Sequence, residues 1–381
     1  MASIKKRGDT YYFAVSNYVD GKSRPIRKGG FKTKKAAEMA AAEIELSLAK
    51  GTYVQKNKSS LADYFNTWVE TYKSNNVTAM TLKHYTYTHN LIIEYFKDKP
   101  LTNITRKDYQ EFLNHIGQNR AKETVAKVNM HIKSCVEDAM EDRVVAVDFT
   151  RKTNLVWKNE AKKKEEKYLN QKEYDVLLNE VYERLERSKV YYILLIALTT
   201  GMRFGEIVGL TIDDFDFNTN KVNVTKTWGY KPGSTFGFGP LKNDASERKI
   251  KIDKTTADCI KRYINKMEPN EYRLLFYSEE SKYKCISNSA ANDLLRDITH
   301  DLRIERITLH GLRHTHASSL LYKKASIYYV SERLGHKNIN TTLSEYTHVM
   351  KELREDDEQL ATNLIENMYV QSNVQSENDN V

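Results

Sequence analysis

The sequence predicts a multidomain protein. It has a small β-sheet-plus-helix module at the N-terminus, an all-α middle domain, and a mainly α C-terminal domain with a small β-sheet (α+β). Three observations carry this reading. The chain has 381 residues, enough for about two or three domains. Its hydrophobic pattern has a period of two in residues 1–32 and a helical period afterwards. From Lys158 to Lys167 five lysines and three glutamates stand with almost nothing apolar, which marks a linker between two periodic regions.

The elements follow in order. Tyr11, Phe13 and Val15 point one way, with Tyr12, Ala14 and Ser16 between them. Asp20-Gly21 reads as a hairpin turn, and a second, basic strand runs through Ile26 to Phe31. Thr33 is the expected N-cap of a helix from Lys34 to about Ala49, ended by Lys50-Gly51. In the middle domain Ser60 caps a segment with Leu61, Tyr64, Phe65 and Trp68 at helical spacing. Thr81 to Phe96, Thr105 to Ile116 and Lys122 to Ala139 supply further amphipathic helices. Beyond the linker, Tyr174, Leu177, Leu178, Val181, Tyr182 and Leu185 fall at helical spacing, and the uniformly apolar VYYILLIAL reads as a buried helix. Strand-like stretches at Val222 to Thr227 and Arg248 to Ile252 flank a Gly/Pro-rich loop. The chain is then helical to about Met368 and ends in a polar stretch where disorder is expected. The expected boundaries are 1–55, 59–150, 156–167 (linker), 168–369 and 370–381.

Composition excludes several classes. The longest apolar run, Val190 to Leu198, is nine residues, too short to span a bilayer. The basic first residues are followed by no apolar core of a signal peptide, so secretion is not expected. Cys135, Cys259 and Cys285 are too scattered for a disulfide framework or a C-x-x-C metal site. Neither G-x-x-x-x-G-K-[ST], G-x-G-x-x-G nor H-E-x-x-H occurs. Lys and Arg outnumber Asp and Glu by 60 to 51, a net charge of +9. The excess is uneven. Residues 1–35 hold ten basic residues against two acids, and residues 351–381 hold two against eight. A basic module at one end points to a polyanion, above all nucleic acid.

Chemistry-bearing residues gather late in the chain: six of ten histidines follow residue 299. His310 and Arg313, three apart, share one face if helical, as do Arg203 and Glu206. Gly335-His336 sits at an expected helix end, and Tyr346 follows ten residues later. Singly these are ordinary. Exposed arginines are mostly surface residues, and His314 and His316 read as packing or hydrogen-bonding groups.

Together, TGMRFGE, HGLRHTHAS, LGH and SEYTH, in this order and with these gaps, resemble the tyrosine recombinase (phage integrase) family, in particular integrases of Gram-positive temperate phages and integrative elements. The resemblance makes residues 1–55 an arm-type DNA-binding domain, 59–150 a core-binding domain, and 168–369 a catalytic domain with a tail helix. It implies Arg203, Lys242, His310, Arg313 and His336 as catalytic residues, Glu206 as the supporting acid, and Tyr346 as the nucleophile forming an O-(3′-phospho-DNA)-tyrosine intermediate. Lys242 is carried over from a K-[TN]-x-x-S-x-R-like stretch, here Lys242 to Arg248, with Lys249 and Lys254 as other candidates. The implied partners are double-stranded DNA at core and arm attachment sites, three further copies of the chain in a tetramer, an excisionase and a host DNA-bending protein, with no membrane. No cofactor is implied, and the implied location is the cytoplasm, at the nucleoid.

The chemistry needs these residue types. Attack on a phosphodiester builds negative charge on the non-bridging oxygens, which two arginines hold bidentately. A tyrosine with a pKa of about 10 is only about 0.1% ionised at pH 7, so it needs a base, here His310, or a positive field. Lys242 is expected to protonate the leaving 5′-oxygen. Three rivals stand beside this reading: a zinc or iron enzyme using His310, His314 and His316, a non-catalytic DNA-binding protein, and a type IB topoisomerase-like enzyme. The tail carries Leu353, Leu360, Leu364 and Met368 at heptad-like spacing, and this stripe is expected to dock onto a neighbouring copy.

Overall fold

The computed structural model describes residues 2–19, 22–49, 59–160, 168–234, 236–352, 358–359 and 361–363, in two units, residues 1–161 and 162–381. The first unit opens with strands β1 (Ser3–Arg7), β2 (Thr10–Val15), β3 (Tyr18–Val19), β4 (Lys22–Ser23) and β5 (Ile26–Phe31), then helix α1 (Lys34–Ala49). An antiparallel sheet has the order β1-β2-β5, and β3 pairs with β4. Phe13 and Val15 are buried with Ala37, Ala41 and Ile44 of α1, as the alternation predicts. Thr33 caps α1, its Oγ1 accepting from the Ala36 N–H at 3.2 Å. Strand β1 escapes the sequence reading. Its stretch SIKKR is mostly exposed and shows no apolar alternation, and a two-residue connection at Gly8-Asp9 folds it onto β2. The expected turn at Asp20-Gly21 and helix stop at Lys50-Gly51 lie outside the described residues. Across the sheet from α1, Lys5, Arg7, Tyr12, Arg27 and Lys28 line an open basic groove.

The same unit holds helices α2 (Leu61–Tyr72), α3 (Ala79–Phe96), α4 (Arg106–Gly117) and α5 (Lys122–Glu141), close to the predicted spans. The side chains of Ser60, Thr78 and Thr105 cap the first three, each worth about 1 kcal/mol. Their apolar faces meet in one core around Phe65, Trp68, Ile92, Phe112 and Ile132. The buried Trp68 keeps its polar atom satisfied, donating to Asp138 Oδ2 at 2.6 Å.

The second unit is built around α7 (Lys189–Thr200), whose residues from Tyr191 to Leu198 are all buried. A helix apolar on every side needs neighbours on every side. They are α6 (Gln171–Glu183), α8 (Phe204–Ile207), and further along α9 (Lys254–Lys266), α10 (Asn288–Asp301) and α11 (Leu309–Tyr322). Between α8 and α9 lie β6 (Phe215–Asp216), β7 (Lys221–Val224), β8 (Thr227–Trp228), β9 (Phe238–Gly239) and β10 (Arg248–Lys251). The sheet order is β10-β7-β6, antiparallel, with β8 and β9 as a separate ribbon. Strand β7 ends before the predicted Thr227 because Lys226 turns off the ladder to pair with Asp214 at 2.5 Å. Helices α12 (Ile327–Leu334) and α13 (Ile339–Glu352) pack near α11 with a core of their own. Among the described residues no helix is long and apolar enough to cross a membrane. The tail positions Leu353, Leu360, Leu364 and Met368, the stretch 370–381 and the lysine-rich run 161–167 lie outside the described residues.

Candidate active site

Gly201 ends α7 at φ +67°, a left-handed conformation in which a Cβ would come within 2.8 Å of the His316 ring and 2.9 Å of Leu334. The chain then turns directly into α8, where Arg203 and Glu206 hold each other. The Arg203 backbone N–H donates to Glu206 Oε2 at 2.9 Å, and Nη1 donates to Oε1 at 2.8 Å. On α11, capped by Thr308, His310 stands exposed and Arg313 is buried. Arg313 donates from Nη1 to the Gly201 carbonyl at 2.8 Å and from Nη2 to the Leu334 carbonyl at 2.7 Å.

The end of α12 organises these groups. The last carbonyls of a helix lack intrahelical partners and sit at its negative pole. Here three successive ones accept from three arginines of separate segments. Arg333 O takes Arg248 Nε at 2.7 Å, Leu334 O takes Arg313 Nη2 at 2.7 Å, and Gly335 O takes Arg203 Nη2 at 3.3 Å. Gly335 turns the chain at φ +67°, and a Cβ there would press on the Ser246 backbone at 3.0 Å. His336 follows at once. Its Nδ1 hydrogen-bonds Thr342 Oγ1 at 2.7 Å, which leaves Nε2 free of that contact.

Helix α13 is broken at Tyr346 (φ −113°, ψ 15°). The tyrosine is 1% exposed, and its hydroxyl is 2.9 Å from His314 Nδ1. His310, the expected base, lies one step back, its ring centre 4.8 Å from that of His314 and edge-on to it. The structure thus brings together Arg203, Glu206, His310, Arg313, His336 and Tyr346, with His314 between His310 and the tyrosine hydroxyl. Lys242 lies exposed in the loop before β10 rather than on a strand, with its charge felt by His310. Lys249 is exposed on β10 opposite Asn223, and Lys254 begins α9.

Electrostatics show what the site lacks. Burial, and then the Arg203 charge, push the Arg313 guanidinium down to about 9, still charged at neutral pH. Desolvation, Arg313 and Arg203 hold His336 down to about 4, and the same causes with Lys242 lower His310. Both imidazoles are therefore neutral at pH 7. Burial pushes the Tyr346 phenol above its ordinary value, although Arg313 pulls the other way. Burial would also raise Glu206, but Arg248 and Arg203 outweigh it and hold the carboxylate below its usual range. One buried carboxylate thus faces three guanidinium groups, Arg203, Arg248 and Arg313. Such a site favours an anion, which would relieve the crowding of positive charge.

Three contributors escaped the sequence reading. Arg248, 4% exposed at its side chain, donates from Nη2 to Glu206 Oε2 at 2.8 Å. His314 holds the tyrosine hydroxyl, and Thr342 orients His336. The only local signal was Arg248 closing the K-x-x-x-S-x-R-like stretch. His316 is a structural group: its Nδ1 hydrogen-bonds the Leu198 carbonyl at 2.7 Å and Nε2 accepts from Arg333 Nε at 3.0 Å. The His310, His314 and His316 set is thereby split. Among the described residues no three His, Cys, Asp or Glu side chains form a metal-binding group.

Comparison with known proteins gives this arrangement its context. Residues 167–352 match the Phage integrase family, residues 3–48 an Arm DNA-binding domain, and residues 60–117 a Phage integrase, N-terminal SAM-like domain. The integrase of Staphylococcus phage L54a is 26% identical over 290 residues, 70% of this chain and 81% of that protein. A XerC-like tyrosine recombinase of Caldanaerobacter subterraneus is 23% identical over 376 residues, 91% of this chain and 94% of that protein. The ICEBs1 integrase of Bacillus subtilis is 23% identical over 274 residues, 68% and 70%. Among solved structures, the Tn1549 transposon integrase in complex with a circular intermediate DNA shares the fold, with a TM-score of 0.66 at 18% identity over 79% of this chain and 99% of that one. A shared fold alone leaves the family open, but the three domain matches together span most of the chain, over the segments that fold as sheet module, helical bundle and arginine-lined site. The chain belongs to the phage integrase family, the tyrosine recombinases.

Proposed function

We propose that this protein is a site-specific DNA recombinase that integrates, and also excises, a mobile element by cutting and rejoining strands through a 3′-phosphotyrosine intermediate and a Holliday junction. The observation that carries it is the convergence of Arg203, Arg313 and His336 beside Tyr346, in a site with a surplus of positive charge. A guanidinium has five N–H donors. In Arg203 and in Arg313 two side-chain contacts go to the protein, so each keeps donors for the non-bridging oxygens of a phosphodiester. Tyr346 Oη attacks phosphorus, its proton passing to His314 or, once the ring has moved toward the cleft, to His310. The P–O5′ bond breaks, and Lys242 supplies the proton to the leaving 5′-oxygen. The new phosphotyrosine ester keeps the energy of the broken bond, so the reverse attack by a 5′-hydroxyl reseals the strand without a nucleotide. Tyr346 must leave its packed seat to reach the phosphate, and the break in α13 at that residue is where the helix can give.

The test is incubation with a nicked suicide duplex of the element's junction, followed by denaturing electrophoresis. A covalent protein–DNA band is expected. Its absence with every core sequence tried would sink the reading. Sequence-independent relaxation of supercoiled plasmid would favour a type IB topoisomerase instead. The lysine has its own measurement. Lys242→Ala is expected to lose cleavage on normal DNA and to recover it when the 5′-bridging oxygen is sulfur, which leaves without a proton. Recovery by Lys249→Ala instead would move the role to Lys249.

Residues 1–55 serve as the arm-binding domain and 59–150 as the core-binding domain in this reading. The groove of Lys5, Arg7, Tyr12, Arg27 and Lys28 would track the phosphates of an arm site. Deleting residues 1–55 is expected to abolish integration while sparing cleavage of an isolated core site. Normal integration by the truncated protein would reduce the module to a charge tether. The same reading places four copies of the chain on paired core sites, with an excisionase and a host DNA-bending protein at the arm sites, in the bacterial cytoplasm. Native gels of the protein with core and arm DNA check the four-copy assembly: complexes no larger than two copies would rule it out.

A further inference from the structure

The cleft that contains Arg203, His310 and Arg313 does not end with them. Its lining also includes Tyr230, Asn288 and Arg306. Its lining holds three arginines and a histidine and no carboxylate, so the whole cleft favours negative charge. Two of the arginines are the pair already given to one phosphate. The third is left over. Arg306 is exposed, and no hydrogen bond or ion pair holds it among the described residues. Its backbone is nevertheless fixed. It precedes the buried Ile307 and the capping Thr308, at the entry to the helix that carries His310 and Arg313. Asn292 fastens that entry, its Oδ1 accepting from the Leu309 N–H at 3.0 Å. A guanidinium on a fixed lead-in, in the same cleft as Arg203 and Arg313, has the properties of a backbone-reading contact.

We infer that Arg306 forms a second phosphate subsite, taking a phosphate that flanks the scissile one and so fixing the register of the strand in the cleft. This rests on the recombinase reading, and its chemistry is that of a phosphodiester monoanion. Arg306 acts by positioning the strand rather than on the reacting atoms.

The test uses the full chain and a duplex core site, in native form and with a neutral methylphosphonate at each phosphate flanking the cleavage position in turn. Arg306→Gln is expected to weaken binding about tenfold, the scale of one charged hydrogen bond. The slope of log affinity against log salt should fall by about 0.9. Arg306→Lys, which keeps the charge, should restore most of the slope. On the duplex whose contacted phosphate is neutral, the wild type and Arg306→Gln should bind within about twofold of each other. Two results would overturn the proposal: equal affinity and slope for wild type and Arg306→Gln on native DNA, or a loss of the same size on every methylphosphonate duplex. Adduct formation by the wild type is scored on the suicide duplex in parallel. A failure of the recombinase reading thus shows as a missing adduct, and a failure of this subsite as an unchanged binding isotherm.

Discussion

Tyr346→Phe is expected to bind core DNA as the wild type does and to form no covalent adduct above background. The substitution keeps the ring, which is 1% exposed and packed with Ala317, Leu321 and Val330. It removes one hydroxyl whose described partner is His314 Nδ1, a hydrogen bond worth about 0.5–1.5 kcal/mol. That is small against the stability of a domain, so folding should survive while the attacking oxygen is gone. The effect on chemistry is total because no other tyrosine shares this position. Tyr328 and Tyr329 are exposed on α12. An adduct formed by Tyr346→Phe on a suicide duplex, mapped by peptide mass to another tyrosine such as Tyr322 or Tyr328, would remove Tyr346 from its role.

The site was legible where its geometry is local. R-x-x-E at a helix start and H-x-x-R along one helix fix side-chain directions by backbone periodicity alone, so Arg203 with Glu206 and His310 with Arg313 could be paired from spacing. The turn at Gly335 was legible for the same reason. What spacing cannot carry is the partner chosen across the fold. Arg248 and Glu206 are 42 residues apart, and His314 and Tyr346 are 32 apart. The alignment of three arginines on the carbonyls of residues 333 to 335 exists only once β10, α8 and α11 meet α12. Sequence reading therefore named His310 as the base, while the group hydrogen-bonded to the tyrosine hydroxyl is His314. The helices were read well because caps and apolar period agree, as at Thr33 and Ser60. Strand β1 was not, because an exposed edge strand rich in lysine carries no burial pattern to read.

Arg313→Ala and Arg313→Lys are both expected to cut the rate of cleavage at saturating DNA by about a hundred- to a thousandfold, the usual loss for one transition-state donor. The lysine variant decides the cause. It keeps a positive charge in the cleft but lacks the planar fork that can hold two oxygens at once. The Arg313 fork is also fixed in place, since Nη1 and Nη2 each donate to a carbonyl, of Gly201 and of Leu334. A lysine ammonium reaches one of these anchors at best, so its position in the transition state is lost even though its charge remains. Both variants leave at least one buried carbonyl unpaired, at about 1–3 kcal/mol, and urea denaturation measures that penalty separately from the rate. Affinity for a core site should change far less than the rate, because Arg313 is only 3% exposed and so offers little surface to DNA in the ground state. If Arg313→Lys cleaves at near wild-type rate, charge alone suffices and bidentate geometry is unnecessary. If binding falls as far as cleavage in both variants, Arg313 is a ground-state phosphate contact and the transition-state role belongs to Arg203 alone.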